Sequence, residues 1–199
     1  MTFYKIYKTL LLLNYFSSLT PLTEKETALI DSLFVERTFR KRETLWQEGD
    51  PCKYFYFVEE GCLKLYKVDD KGGEHIFQFA TENHWLTDMR SFQEKTPSLL
   101  TAEALEETST RAITLENLNR LYEEIPALNL VFRKLSERNQ QVLQDRILEL
   151  LSGSAQDCYV SFSKHYPQLI HRLPQTQIAA FLGITPEFFS KMKAQLLRQ

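Results

Sequence analysis

Apolar and polar residues alternate with two different periods along this chain, and the changes of period divide it into parts. In residues 3–17, Phe3, Ile6, Leu10, Leu13 and Phe16 recur at helical spacing and predict an amphipathic helix. Lys5 and Lys8 before a run of four leucines faintly resemble a signal peptide, but Asn14 interrupts the run and no small-x-small cleavage site follows. A short helix over residues 24–33 comes next, with Thr23 as its N-cap. From residue 34 to residue 113 the period falls to two. Aromatic and branched runs such as Tyr54 to Val58, Leu63 to Val68 and His75 to Phe79 are separated by turn signals at Gly49-Asp50-Pro51, Glu60-Gly61, Gly72-Gly73 and Thr96-Pro97. That pattern predicts a small antiparallel barrel or sandwich.

The helical period returns at Leu115, stops at Pro126, and restarts in a helix that runs to about Leu151. At 1.5 Å per residue this second helix is about 39 Å long, more than a domain of this size covers. Leu128, Phe132, Leu135, Asn139 and Val142 form a seam at alternating spacings of four and three, the pattern of a two-helix coiled coil in which one polar residue fixes register. The stripe then drifts toward Leu143, Ile147, Leu150 and Leu151. A homodimer helix is the favoured reading, and a helix lying lengthwise on its own barrel is the alternative. Ser152-Gly153-Ser154 ends the helix and marks a domain boundary. The expected organisation is residues 1–115 for the N-terminal helices and barrel, 116–152 for the connecting and dimer helices, and 153–199 for a helical tail domain.

The tail carries the most specific motif. In Gln175-Thr176-Gln177-Ile178-Ala179-Ala180-Phe181-Leu182-Gly183-Ile184-Thr185-Pro186-Glu187, Ala179 is small where two helices cross, and Gly183 suits a left-handed turn four residues later. Thr185 caps a second helix and Pro186 fits its first turn. Glu187, Ser190, Lys191 and Lys193 then share the exposed side, where a recognition helix meets base edges. Gln175 and Thr176, at the start of the first helix, are candidate phosphate contacts. The alternative is an ordinary helical hairpin in a core.

Charge changes this picture in one respect. The formal net charge is −2, which by itself speaks against a polyanion partner. However, residues 155–199 hold five Lys and Arg against two acids, a net +3, so the rest of the chain carries −5. Three cysteines, Cys52, Cys62 and Cys158, have no CxxC spacing and indicate neither a disulfide framework nor a zinc site. No apolar run reaches the roughly 18 residues of a membrane span, and a cytoplasmic location is expected.

Taken together, Leu45-x-x-x-Gly49-Asp50, Tyr56-x-Val58-x-x-Gly61-x-Leu63-x-Leu65, the Gly72-Gly73 hairpin, Tyr166-Pro167, Arg172-Leu173-Pro174-Gln175 and the motif ending in Thr185-Pro186-Glu187 resemble the Crp/Fnr superfamily of bacterial transcription regulators, in its Bacteroidetes-type branch. The resemblance covers nearly the whole chain. It implies an α+β protein with a double-stranded β-helix (jelly-roll) sensor domain of the cyclic-nucleotide-binding type, a long dimerisation helix and a C-terminal winged-helix-like helix-turn-helix. The sequence ends at Gln199 without the terminal wing many relatives have. As partners the resemblance implies palindromic double-stranded DNA, a second copy of the chain and RNA polymerase. It places base contacts at Glu187 and Lys191, where family members carry Glu and Arg. Lys191 reaches guanine without the fixed fork of Arg. Phe188 stands where a small polar residue is common, for thymine-methyl contact or extra packing.

The resemblance also places an effector pocket around Trp85, Thr87, Asp88, Ser98 and Asn139. Members that bind cyclic nucleotides need a Gly-Glu pair for the ribose and an Arg for the phosphate. Here Asp88 stands for the Glu, Thr87 replaces the Gly, and no Arg lies near Ser98. A buried phosphate without a cation is costly, so no cofactor is expected and cyclic AMP is not expected to bind with useful affinity. Clustered cysteines for an iron-sulfur site are lacking. His75 and His84 are read as structural or surface residues before haem ligands. Two other functions are weighed against a regulator that is not an enzyme. A cupin-like enzyme needs a His-x-His motif, whereas His75 and His84 are nine residues apart. A protein-interaction module with a degenerate helix-turn-helix predicts no salt-dependent DNA binding.

Overall fold

A computed structural model describes the backbone of residues 2–196 and the side chains of residues 11–196. Helix α1, Thr2–Leu19, buries Leu12 and Phe16, one turn apart, while Leu13 is half-buried. Phe16 thus holds its expected place while Leu12 takes the buried position predicted for Leu13, and the side chains of Phe3, Ile6 and Leu10 lie outside the described residues. Helix α2, Glu24–Leu33, opens on a full capping box: Thr23 Oγ1 accepts from the Glu26 N–H at 3.3 Å, and the Glu26 carboxylate accepts from the Thr23 N–H at 2.8 Å. Those bonds hold the Glu26 carboxyl below its usual range.

Eight strands follow, β1 (Val35–Phe39), β2 (Thr44–Trp46), β3 (Phe55–Glu60), β4 (Leu63–Val68), β5 (Glu74–Ala80), β6 (Trp85–Leu86), β7 (Thr101–Ala104) and β8 (Thr108–Ile113). They make two four-stranded sheets, ordered β1-β8-β3-β6 and β2-β7-β4-β5, with the antiparallel pairing expected from period-two patterning. Trp46 of one sheet stacks on Tyr56 of the other with ring centroids 6.0 Å apart, so the core lies between two facing sheets. Tyr56 is paired to Ala112, a small side chain opposite a large one, and Val58 to Thr110, two β-branched side chains. The link from β3 to β4 turns at Gly61, whose φ is +101°. A Cβ there would sit 2.6 Å from the Glu107 carbonyl oxygen, so only glycine fits.

A short helix, α3 (Met89–Glu94), interrupts the strands and was not legible as a period; Asp88 caps it by accepting from the Ser91 N–H at 3.3 Å. After β8, α4 (Leu115–Glu124) is capped by Thr114, and α5 (Pro126–Ser152) runs 27 residues. Four helices follow: α6 (Ala155–His165), α7 (Leu169–Arg172), α8 (Gln175–Leu182) and α9 (Pro186–Leu196).

The chain forms two compact units, one of residues up to Lys67 with Gln78–Lys134, the other of Val68–Phe77 with residues from Leu135 onward. The division falls inside α5 and not at the expected Ser152-Gly153-Ser154, because the tip of the β4–β5 hairpin is bonded to the second half of α5. Ser152 to Ser154 do end the helix. Gly153 N–H donates to Glu149 O at 2.8 Å, and Ser154 starts α6 with a capping box to Asp157.

The long helix also corrects the expected seam. Leu128 is fully buried and Phe132 nearly so, both inside the first unit, where Phe132 packs on Phe16, Phe55, Trp85 and Tyr122. Side chains used by their own core cannot face a partner helix. Leu135 is half-buried, and Asn139 and Val142 are exposed. Farther along, Leu143, Ile147, Leu148, Leu150 and Leu151 are exposed as well, Leu151 by 80%. The apolar face available on α5 therefore begins after the predicted start and lies along its second half.

Candidate nucleic-acid interface

The pair α8 and α9 is built by local chemistry at each joint. Pro174 sits at the N-cap of α8, where its missing N–H costs nothing, and offers no side-chain cap, so the first amides of α8 stay available. Gln175 and Thr176 are exposed at that end. At the other end Gly183 takes φ +70°, and Ile184 N–H reaches back to Ala179 O at 3.1 Å, the bond that closes a helix across a left-handed glycine. Ala179 itself is completely buried. Thr185 Oγ1 then accepts from the Phe188 N–H at 3.2 Å and opens α9.

The hydrophobic side of the pair is fixed by aromatic contacts. Phe189 is buried edge-to-face on Tyr159 at 5.3 Å, and Phe181 meets Phe162 at 5.2 Å and Tyr166 at 6.0 Å. With Ile178, Leu182 and Met192 these rings fill the core of the second unit. The opposite side of α9 presents Thr185, Glu187, Ser190 and Lys191 to solvent, and Lys193 is half-buried at its edge. Phe188 is 53% exposed, which removes core packing as its role. Glu187 occupies the first turn, where the helix dipole favours an acid, and Lys193 the last turn, where it favours a cation. A polar, solvent-facing helix start held by a capped turn offers hydrogen-bond donors and acceptors of both signs at fixed positions.

Among the expected effector residues, Thr87, Asp88 and Ser98 lie close together and are bonded within the first unit. Trp85 lies in an aromatic cluster with ring centroids 4.8 Å from Phe55, 5.0 Å from Phe57 and 6.0 Å from Phe16. Thr87 Oγ1 donates to Tyr54 O at 3.3 Å and touches Cys52 Sγ at 3.3 Å. Asp88 and Ser98 bond to each other: Ser98 Oγ donates to Asp88 Oδ2 at 2.6 Å and accepts from Trp46 Nε1 at 3.1 Å. Asn139 belongs to the other compact unit and is exposed. The carboxylate read as a ribose ligand is thus spent on a serine and a helix cap, because a hydroxyl ten residues away was within reach.

His75 Nε2 pairs with Asp69 at 2.8 Å. Asp69 also accepts from the backbone of Gly73 and Lys71, and its carboxyl is pulled down to about 2, first by His75 and then by those amides. His84 Nδ1 lies 3.2 Å from Thr81 Oγ1. The three cysteines are buried and form no disulfide among the described residues, and burial pushes the Cys52 and Cys158 thiols up. Among the described residues no three His, Cys, Asp or Glu side chains gather as a metal site, and no helix is long and apolar enough to cross a membrane.

Sequence reasoning missed Arg146. Its guanidinium is largely buried and donates to the carbonyls of Ile76 at 2.6 Å, of Phe77, and of Phe181 at 2.9 Å. Burial lowers its pKa. The available signal was a cation among Val142, Leu143, Ile147 and Leu150 on one helix. Beside it a small, partly open pocket of about 40 Å³ is lined by residues including Glu149, Cys158, Ser161 and Tyr166.

Residues 36–124 match the model of the cyclic nucleotide-binding domain. The transcriptional activator protein Anr of Pseudomonas aeruginosa is 32% identical over 128 residues, 63% of this chain and 51% of that protein, so the match spans about half of its length. The fumarate and nitrate reduction regulatory protein of Escherichia coli is 28% identical over 187 residues, 86% of this chain and 72% of that protein. The structure of FixK2 from Bradyrhizobium japonicum superposes with a TM-score of 0.68 at 22% identity, over 83% of this chain and 85% of that one, a likeness of fold.

Proposed function

We propose that the chain is a DNA-binding transcription regulator of the Crp/Fnr type, acting as a homodimer that meets DNA through α8 and α9; the cyclic nucleotide-binding domain match and the likeness to the Anr and fumarate and nitrate reduction regulators support this reading. The observation that carries the proposal is α9: a helix start fixed by the Gly183 turn and the Thr185 cap, with Glu187, Ser190 and Lys191 turned to solvent. In this reading α9 enters the major groove as the second helix of a helix-turn-helix. Glu187 accepts from a cytosine amino group and Lys191 reaches a guanine. The amides and side chains of Gln175 and Thr176 meet phosphate. The two sheets are the jelly-roll of a sensor domain, and the exposed apolar half of α5 is covered by the same helix of a second copy.

Fluorescence anisotropy with promoter duplexes tests the proposal. Affinity should fall steeply as salt rises, and Lys191→Ala should lower the preference for the cognate site by about 1–3 kcal/mol. Equal affinity for all duplexes in both proteins contradicts it.

We further propose that the sensor domain takes no cyclic nucleotide. Asp88 and Ser98 already bond to each other, Thr87 is bonded to Tyr54, and the sequence from residue 91 to residue 105 around Ser98 holds no arginine. Calorimetry with cyclic AMP is expected to give no heat of binding, and micromolar affinity overturns this point. A different effector, if one acts, need not use these residues.

A further inference from the structure

Arg146 is a large cation held in the second unit without a carboxylate bonded to it: its hydrogen bonds go to three backbone carbonyls. Two of these, Ile76 and Phe77, lie in β5, and the third, Phe181, lies near the end of α8, more than a hundred residues later. Both elements leave some of their carbonyls open. β5 is the outer strand of its sheet, so alternate carbonyls along it face away from β4 and take no strand partner. Phe181 is within the last four residues of α8, where carbonyls have no helical donor and the dipole favours a cation. The guanidinium carbon also sits 3.8 Å over the Phe181 ring. A second tie runs parallel, from Gln177 Nε2 of α8 to Glu74 Oε2 of β5 at 3.2 Å. The hairpin tip is itself stiff, because Asp69 stitches Lys71, Gly73 and His75 together.

We infer that Arg146 is a positioning residue for the DNA-binding pair, and that the hairpin Val68–Phe77 influences α8 and α9 through this shared guanidinium. The inference rests on the DNA-binding reading above. One planar cation bonded to two elements makes their positions interdependent. If the hairpin shifts, either the Phe181 bond breaks or α8 follows, and Phe181 is two residues before the Gly183 turn that aims α9. The chain of β5 continues into the sheet through Gln78–Ala80, so a displacement of that strand reaches Ile76 and Phe77 directly. Lysine cannot replace the arginine, because a single ammonium does not reach three carbonyls from one plane.

Hydrogen–deuterium exchange of the full chain, with and without a bound duplex, tests this. In the native protein the duplex should slow exchange of the amides in residues 70–77 several-fold, since coupling between two places is reciprocal. Arg146→Met should abolish that response and weaken duplex binding by about tenfold, roughly 1.4 kcal/mol. Arg146→Lys, which keeps the charge, should behave like the methionine variant and carries the test if that variant does not fold. Glu74→Ala should shift both readouts in the same direction by less. A duplex that leaves the hairpin unchanged in the native protein, or an Arg146→Lys protein with full coupling, overturns the inference. If no duplex binds the native protein, the functional reading fails by itself. The inference is then decided in the free protein, where Arg146→Lys must speed exchange at the hairpin and at residues 181–184 together, and a change at one alone refutes it.

Discussion

Gly61 and Gly183 both have positive φ, yet they answer to different forces. At Gly61 a side chain meets the Glu107 carbonyl and the backbone of Thr108, whereas at Gly183 a Cβ has nothing within 4 Å. Gly61→Ala therefore pays for the left-handed backbone and for a clash that β3 and β8 cannot relieve, about 2–4 kcal/mol. Gly183→Ala pays only for the backbone, about 1 kcal/mol. Urea unfolding of the two variants should show that order, and equal losses would mean the close approach at Gly61 does not limit the turn. The same scale explains which side chains were legible. Thr23, Thr114, Ser154 and Thr185 act within three residues of themselves, so their caps can be read from spacing. Asp88, Ser98 and Trp46 act across 10 and 52 residues, and no local pattern announces such bonds.

Helix α5 shows what element-level patterning can and cannot give. Its existence and ends follow from period and from Pro126, but one apolar stripe serves two surfaces in succession. Leu128 and Phe132 close the first unit's core, and from Leu143 onward the leucines and isoleucine face solvent. A seam drawn at regular spacing runs across both, because periodicity reports that a side chain is buried and not by what. Substitutions should separate the two halves. Leu128→Ala should cost about 2–5 kcal/mol in unfolding free energy through the cavity it leaves. Leu151→Arg should leave the fold of the single chain intact and raise the dimer dissociation constant at least tenfold by sedimentation equilibrium. A dimer that ignores Leu151→Arg moves the interface off this half of the helix. Helix α3 was missed for a simpler reason: its six residues complete less than two turns and show no apolar repeat.

At the scale of the whole molecule, charge and architecture point the same way. An overall charge of −2 conceals a basic tail at +3, and the proposed dimer would bring two such tails to one duplex. The family match covers the sheets, and the motif from Gln175 to Glu187 folds with the turn, cap and exposed face its spacing predicted. The link between the hairpin and α8 was not legible, since it depends on carbonyls, which every residue possesses. If the proposed DNA-binding reading holds, the modest tail charge predicts weak non-specific DNA affinity, with most of the binding energy from site-specific contacts. Selection of binding sites from random duplex DNA by the full-length protein tests the central claim most directly. The account predicts enrichment of a palindrome whose half-sites lie about one helical turn apart. Recovery of sequences with no shared palindrome, at a selection strength that recovers sites for an established family member, would contradict it.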